Sequence, residues 1–435
     1  MPAVKRTSST LASENFSKDK ISSIFSYWVA AFIFAATLVM FPAYAYSYSV
    51  KVEGLSNWQK EPAERSLNAV VQKLSSTSSR AAVAKILSAV SEQLFSGYKV
   101  NNIISNEDEV VVSFIPDSIF RNWSVKFEYP SLKSPAAEWF VADAEKALES
   151  ITEVIYGVPV ASLAWCDAAL RNEIIGLLKP VLPGWHPTFI VYENADENVL
   201  KISFTAELPL VLALNPTFSS SSLPTLLHGE LKEDILQEFP PFLGLPVSWA
   251  KLHTKDINVW AEKFLDNRGI VERTASRSVA DFSAAAVSQM NVNIESRRYS
   301  LGAWAAVYGG TKDRSAEIGL HIGRRVFLFD DAAVEAYGEG IVELKDWTPE
   351  GRLGIRCSPW GDVWIGGEWS SKDDMWWGRL NISPRLHKPY AWLRVREDGE
   401  INTAIGWKAT QYISFELHFD SRDNDRWSLR MLGNL

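Results

Sequence analysis

Cysteine is almost absent: Cys166 and Cys357 are the only two in 435 residues. A disulfide framework is therefore excluded and at most one bridge can form. Cys166 falls in a helical pattern and Cys357 on the apolar face of a strand, which argues against that one bridge. Histidine is scarce and scattered. His186, His228, His253, His321, His387 and His418 lie far apart, and none stands at ligand spacing to another histidine or a cysteine. An excess of positive charge is missing too, because 44 Lys and Arg against 52 Asp and Glu leave a formal charge of −8. No cluster of basic side chains suits a phosphate backbone, which excludes nucleic acid as a partner. No stretch matches a metalloprotease helix, phosphate loop, nucleophile elbow or dinucleotide fingerprint. The expectation is a non-enzymatic protein with no cofactor, no metal and no catalytic residue. Acid pairs such as Asp330-Asp331 and Asp373-Asp374 read as solvated turns.

Long apolar runs are also lacking, with one exception near the N-terminus. Lys5, Arg6, Lys18 and Lys20 precede an apolar run at residues 27–41, followed by Pro42 and the small-x-small pattern Ala43-Tyr44-Ala45. This order reads as a secretory signal peptide over residues 1–45, cleaved after Ala45. As an uncleaved anchor, a run of about fifteen residues falls short of the roughly 20 that span a bilayer.

What the chain does have is alternation. From residue 299 onward about ten short strands follow one another with brief turns, each with period two rather than 3.6. Ala316, Ile318, Leu320 and Ile322 share one face, and Glu317, Gly319, His321 and Gly323 the other. Val334, Ala336 and Val342 oppose Glu335, Tyr337, Glu339 and Glu343. Leu353, Ile355 and Cys357 oppose Arg352 and Arg356, and Leu393 and Val395 oppose Arg394 and Arg396. Ile405 and Trp407 oppose Lys408, Phe415 and Leu417 oppose Glu416 and His418, and Leu429 and Met431 oppose Arg430. Residues 302–308, 363–369 and 375–382, the last containing Arg379, fit less well because aromatics fall on both faces. Periodicity alone does not say which face is outside, since a soluble β-domain would put its charges in water. The signal peptide, strand lengths near the 9–11 residues that cross a bilayer and the ten of 18 tryptophans that follow Leu301 favour a membrane barrel.

In a barrel of about eight to ten strands the interior is filled by side chains. The inward charges Glu335, Glu339, Glu343, Arg352, Arg356, Arg379, Arg394, Arg396, Lys408, Glu416, His418 and Arg430 are therefore expected to form a lumen cluster that pairs across a plugged interior. An ion path is the alternative. His321 and His418 could face each other there.

Between signal and barrel a strand, helix, helix, strand, strand pattern repeats. Ser49-Val50-Lys51-Val52-Glu53 is nearly repeated at Ser124-Val125-Lys126-Phe127-Glu128, and a weaker third copy falls at residues 208–214. Asn106-Glu107-Asp108-Glu109 and Asn194-Ala195-Asp196-Glu197 lead into strands ending Ser113-Phe114 and Ser203-Phe204. Gly157-Val158-Pro159-Val160 is echoed by Gly244-Leu245-Pro246-Val247, each between two helices. Ser134 can cap a helix that has Pro135 first and buries Phe140, Leu148, Ile151 and Ile155. Thr254 opens another, with Val259, Trp260, Phe264 and Leu265 as its apolar side and Gly269 as its stop. The serines at 75–79 and 219–222 read as polar connections.

Three such modules ahead of a barrel resemble the POTRA domains of outer-membrane assembly proteins, over residues 47–297. The resemblance implies modules that bind polypeptide partners by adding a strand to a sheet edge, with edges near residues 110–114 and 199–204 as docking sites. Barrels of that family have about sixteen strands and would need roughly 190 residues or more. Only about 135 remain after the modules, so the barrel reads as an anchor. The expected fold class is α+β periplasmic modules, three βααββ units, followed by a small antiparallel transmembrane β-barrel of about 8–10 strands. The expected domains are modules at 46–123, 124–207 and 208–297 and a barrel at 298–435. The partners are outer-membrane lipid and unidentified periplasmic or envelope proteins. The function is recruitment or scaffolding in an accessory role in outer-membrane assembly or tethering. Two alternatives stand beside it, a small porin-like or structural barrel and a soluble periplasmic binding protein.

Overall fold

The computed structural model describes residues 49–74, 79–106, 109–117, 122–193, 197–329, 332–384 and 386–435. The signal-peptide pattern, the serines at 75–78, Glu107, Asp108, residues 194–196 and the Asp330-Asp331 turn lie outside the described residues. Two compact units divide the chain, Met1–Arg121 with Gly157–Asn172, and Asn122–Tyr156 with Glu173–Leu435.

In the first unit β1 (Ser49–Glu53), α1 (Asn57–Lys73), α2 (Arg80–Leu94), β2 (Tyr98–Ser105) and β3 (Glu109–Pro116) form one module. Its sheet runs β1-β3-β2, with β1 parallel and β2 antiparallel to the central β3. Alternation buries Val50 and Val52 of β1 and Val110 and Val112 of β3 against Ala63, Leu67 and Val71, spaced four apart on α1. Ser79 caps α2 by accepting a hydrogen bond from the Ala82 amide at 3.3 Å.

The next module repeats this order. It comprises β4 (Asn122–Glu128), α3 (Ala136–Ile155), α4 (Leu163–Leu178), β5 (Trp185–Glu193) and β6 (Glu197–Ala206), and the division between units falls within α4. A third copy follows as β7 (Ala213–Ser219), α5 (Leu226–Glu238), α6 (Val247–Leu252), α7 (Thr254–Asp266), α8 (Gly269–Arg273), β8 (Ser276–Ser283) and β9 (Val287–Ser296). Their sheets run β4-β6-β5 and β7-β9-β8, again with the first strand parallel to the last. The recurring glycines have a physical reason: Gly157 and Gly244 sit at φ of 76° and 83°, where a side chain would be strained.

Several local expectations need correction. Pro135, not Ser134, stands at the N-cap of α3, and the Ser134 hydroxyl instead donates to Glu138 at 2.7 Å. Phe140, Ile151 and Ile155 are buried there, with Leu148 only half-buried. On α7 the buried stripe is Ile257, Ala261 and Leu265, while Val259 is 62% exposed and Trp260 and Phe264 stack on each other at 6.0 Å. The third first-strand begins at Ala213 rather than at 208. The expected docking segments, 110–114 and 199–204, lie in β3 and β6, the central strands of their sheets. Their backbone groups are used on both sides, so they cannot accept another strand. Edges are offered by β1 and β2, β4 and β5, and β7 and β8 instead.

From Tyr299 the chain forms a closed ten-stranded barrel: β10 (Tyr299–Gly309), β11 (Ala316–Phe329), β12 (Ala332–Glu343), β13 (Thr348–Trp360), β14 (Val363–Ser370), β15 (Met375–Ile382), β16 (Pro389–Arg396), β17 (Ile401–Lys408), β18 (Ile413–Asp420) and β19 (Trp427–Asn434). Every neighbouring pair is antiparallel. Closure is made by β19 on β10, from Trp304 opposite Asn434 to Gly309 opposite Leu429. Six strands, β14 to β19, have eight residues each, fewer than expected. Inward glycines leave room for large neighbours. A Cβ at Gly323 would lie 2.1 Å from Glu335 Oε1, and one at Gly406 2.4 Å from the Tyr390 ring.

The serine connection after β7 proves to be a joint. The Ser222 carbonyl accepts from the Leu301 amide at 2.7 Å and its hydroxyl from the Ser296 amide at 2.7 Å. The Thr225 amide donates to the Leu435 carbonyl at 2.8 Å. The third module is thus fastened to both the first and the last barrel strand. No single helix among the described residues is long and apolar enough to cross a membrane.

Candidate functional site

Alternation in the barrel points the charged face inward. Ile318, Leu320, Ile322, Leu353, Ile355 and Leu429 are exposed on the outside, while Glu335, Glu368 and Asp420 are fully buried. Water outside and apolar side chains inside would give the reverse arrangement, so this exterior suits hydrocarbon and the barrel is of the transmembrane kind.

Glu335 is the centre of one group. It accepts hydrogen bonds from Ser300 Oγ at 2.6 Å, Arg325 Nε at 3.0 Å and Arg356 Nη2 at 3.0 Å, and pairs with His321 Nε2 at 2.8 Å. Glu339 meets the other ring nitrogen of His321 at 3.1 Å, Arg379 Nη1 at 2.9 Å and Arg352 Nη1 at 3.4 Å. Arg379 continues to Glu368 at 2.9 Å, and Glu368 lies 2.6 Å from Arg394 Nε. On the other wall Glu416 accepts from Tyr390 at 2.7 Å and from Arg430 Nη1 at 2.7 Å, and Arg430 also binds Glu317. Register explains the partners: Glu335 faces Arg356 across β12–β13, Glu339 faces Arg352, and Glu416 faces Arg430 across β18–β19. Each pair shares one face of adjacent antiparallel strands.

Not every expected residue joins this network. Arg396 sits at the rim with Asp398 at 2.6 Å and Asp373 at 3.5 Å, and Glu343 binds Lys372 at 3.2 Å. Lys408, at the module-side end of β17, forms no ion pair among the described residues. His321 and His418 occupy separate sets: His418 bonds Asn402 at 2.9 Å and Ser428 at 3.2 Å, whereas His321 belongs to the glutamates.

Sequence reasoning left out Glu368, Arg325 and the residues that close the far end. Trp364 and Glu368 share the inward parity of β14, a signal masked by the outward Trp369. Turn residues carry no periodicity, and it is they that tie the far loops together. Arg314 pairs with Asp423 at 2.8 Å and also with Asp420, and Arg422 bridges Asp420 at 2.8 Å and Asp373 at 2.9 Å. Beneath them Trp377, 2% exposed, carries the guanidinium carbons of Arg394 at 4.4 Å and Arg422 at 4.9 Å over its ring. Loops from three places in the sequence are thereby held across the lumen.

A second buried polar group lies between the second and third modules. Asp143 on α3 accepts from Trp249 Nε1 at 3.0 Å and meets His253 Nε2 at 2.7 Å, while His253 Nδ1 meets Asp256 at 2.7 Å. The Trp139 ring stacks on His253 at 5.2 Å. Burial alone would raise the Asp143 carboxyl, but hydrogen bonds from His253, Lys146 and Trp249 hold it below its ordinary value. Burial alone would lower His253, but its two carboxylate partners raise it. Both cysteines are free thiols, Cys166 buried and Cys357 exposed on the barrel exterior. Among the described residues no group of three or more His, Cys, Asp or Glu side chains is placed to hold a metal ion.

No protein-family model and no curated protein matches the chain. Among solved structures it is similar to BamA from Haemophilus ducreyi lacking POTRA domains 1-3, at 12% identity and a TM-score of 0.16, over 68% of this chain and 50% of that one. It is similar to POTRA1-3 of the periplasmic domain of Omp85 from Anabaena, at 10% identity and a TM-score of 0.21, over 57% of this chain and 95% of that one. CdiB from Acinetobacter baumannii is similar at 10% identity and a TM-score of 0.16, over 78% and 69%. The chain thus spans half the length of the BamA chain. The resemblance to POTRA modules followed by a barrel stands on the element order and on the closed ten-stranded barrel described above.

Proposed function

We propose that this protein is an outer-membrane anchor whose periplasmic modules recruit or scaffold polypeptide partners, in an accessory role in envelope assembly or tethering, and that it is not an enzyme. The observation that carries the anchoring half is the cross-linked lumen: Glu335, Glu339, Glu368 and Glu416 pair with arginines, and Arg314 and Arg422 bind the far loops across the opening. A barrel closed in this way holds its position in the bilayer and leaves no wide path. Recruitment is supported by the exposed sheet edges. On β2 and β5, Ile104, Ile190 and Tyr192 stand 43–49% exposed beside backbone groups free to pair with an added strand. Signal-peptide cleavage near Ala45 would deliver the modules to the periplasm.

Two measurements test the two halves on the full-length protein. In planar bilayers the plugged barrel gives no stable channel, and regular conductance steps would overturn the anchor. A photo-crosslinking residue at position 104 or 190 is expected to capture envelope polypeptides, in greater yield than one at the central-strand position 112. Equal capture at both would reject strand addition.

A further inference from the structure

Charge inside the lumen is balanced by partner, yet not by surface. A cavity of about 270 Å³ lies within the barrel, and its walls present seven arginines but only three glutamates, Glu317, Glu339 and Glu416. Glu335, Glu350, Glu368 and Asp420 pair with those arginines without lining the cavity. The space therefore sees guanidinium groups in excess. Their donors are incompletely used. Arg394 is 2% exposed; its Nε lies 2.6 Å from Glu368 Oε1, yet neither Nε nor Nη2 of Arg394 forms a hydrogen bond, and Glu368 Oε1 is likewise unmatched. Nε of Arg379 and of Arg430 is likewise unmatched, while Nη1 of Arg379 and both Nη atoms of Arg430 bind glutamates.

A buried donor without an acceptor is costly, more so when the group is charged. The cavity itself is lined by more guanidinium groups than carboxylates, and such a lining gains from an oxyanion. Guanidinium suits this purpose: it stays protonated and offers planar paired donors that match a tetrahedral or carboxylate oxyanion. Access is provided at the module side, where a second cavity of about 580 Å³ is bounded by the Ser220-Ser221 connection, Lys408 and Leu435. It shares Ser221, Arg325, Arg356 and Asn381 with the inner one. Lys408 at its wall is the inward cation that forms no ion pair among the described residues. The far end is tied shut by Arg314 and Arg422.

We propose that the lumen is a blind-ended binding site for a phosphate-type oxyanion, admitted from the module side past Lys408 and held by Arg394, Arg379 and Arg430. Binding involves no covalent step. The site is independent of strand recruitment, and it fits a barrel that does not conduct.

The test uses the full-length protein in detergent micelles, dialysed to equilibrium against radiolabelled inorganic phosphate at constant ionic strength in chloride. Saturable uptake is expected, displaced by sulfate. Arg394→Met is expected to abolish it. Because that change also leaves Glu350 and Glu368 short of a partner, Asn381→Asp serves as the second variant: it puts a carboxylate on the wall of both cavities while leaving every arginine pair in place. It is expected to weaken binding at least about tenfold, through like-charge repulsion. Lys408→Gln is expected to weaken it by a smaller factor. Displacement by glycerol phosphate but not by a short-chain phosphatidic acid would identify a soluble source, and displacement by both a lipid headgroup. Absence of saturable uptake by the unaltered protein, or an unchanged affinity in Asn381→Asp, would overturn the proposal.

Discussion

Strands of the third module and strands of the barrel obey the same alternation with opposite chemistry. On β8 the buried positions are Ser276, Ser278, Ala280 and Phe282, facing α7 and its apolar stripe; on β18 they are Ser414, Glu416, His418 and Asp420. Outward, β8 shows Arg277 and Asp281 while β18 shows Ile413, Phe415 and Leu417. Period two fixes that a strand has two unlike faces, and the surroundings decide which face is covered. Water covers one region of the molecule and hydrocarbon the other, so a substitution that is harmless in one should be severe in the other.

The strongest contrast is inside. Glu335→Ala removes a fully buried acid and strands Arg325 and Arg356 together, with an expected loss of about 3–5 kcal/mol. Urea unfolding in micelles would register it, and a change below about 1 kcal/mol would mean that the lumen is hydrated enough to dispense with its pairs. A polar centre in the barrel then matters as much as an apolar one in the first module, where Leu67→Ala is expected to cost about 2–5 kcal/mol.

Next in size is the exterior. Ile355→Arg, on the outward face of β13, is expected to cost about 2–4 kcal/mol if it lies near the bilayer midplane. Val279→Arg, equally exposed but on β8, should stay within about 0.5 kcal/mol. The two unfolding midpoints, compared in lipid vesicles, sharpen the contrast most simply, and equal costs would erase it.

A smaller effect is expected at the clasp between the second and third modules. Asp143→Asn should loosen α6 and α7 by about 1.5–3 kcal/mol, seen as faster amide exchange over residues 247–266. The pH dependence has a definite sign. His253 is raised above its ordinary 6.5, so its contribution is complete below that pH and disappears as pH rises through the raised value. Asp143 is depressed below 3.8, so its contribution is present above that pH and lost as pH falls through the depressed value. Exchange protection of α6 and α7 should therefore be greatest between about pH 4 and 6.5 and decline at alkaline pH. Protection that rises from pH 6.5 to 9 would contradict the clasp.

Much of the barrel was legible because alternation is local. Glu335, Glu339, Arg352 and Arg356 could be placed on one face from their spacing, and antiparallel register then made them partners. What spacing does not encode is which strands neighbour across a sheet, and that is where the reading of the modules failed. The strands at 110–114 and 199–204 look like edges in the chain because they come last, yet parallel pairing with the first strand places them in the middle. Arg314, Asp373 and Arg422 lie in turns, where no period marks a face, and the Asp143–His253 clasp joins helices 110 residues apart in sequence. Both depend on contacts made only after folding.

The inversion itself can be read at one native side chain. Cys357 points outward from β13, whereas Cys166 is buried in the other unit. In a Cys166→Ser variant labelled at Cys357 with a small fluorophore and reconstituted into vesicles, the fluorescence should be quenched by lipids brominated on their acyl chains and be insensitive to iodide in the buffer. Quenching by iodide with no effect of the brominated lipids would show that this face meets water, and would contradict the membrane barrel.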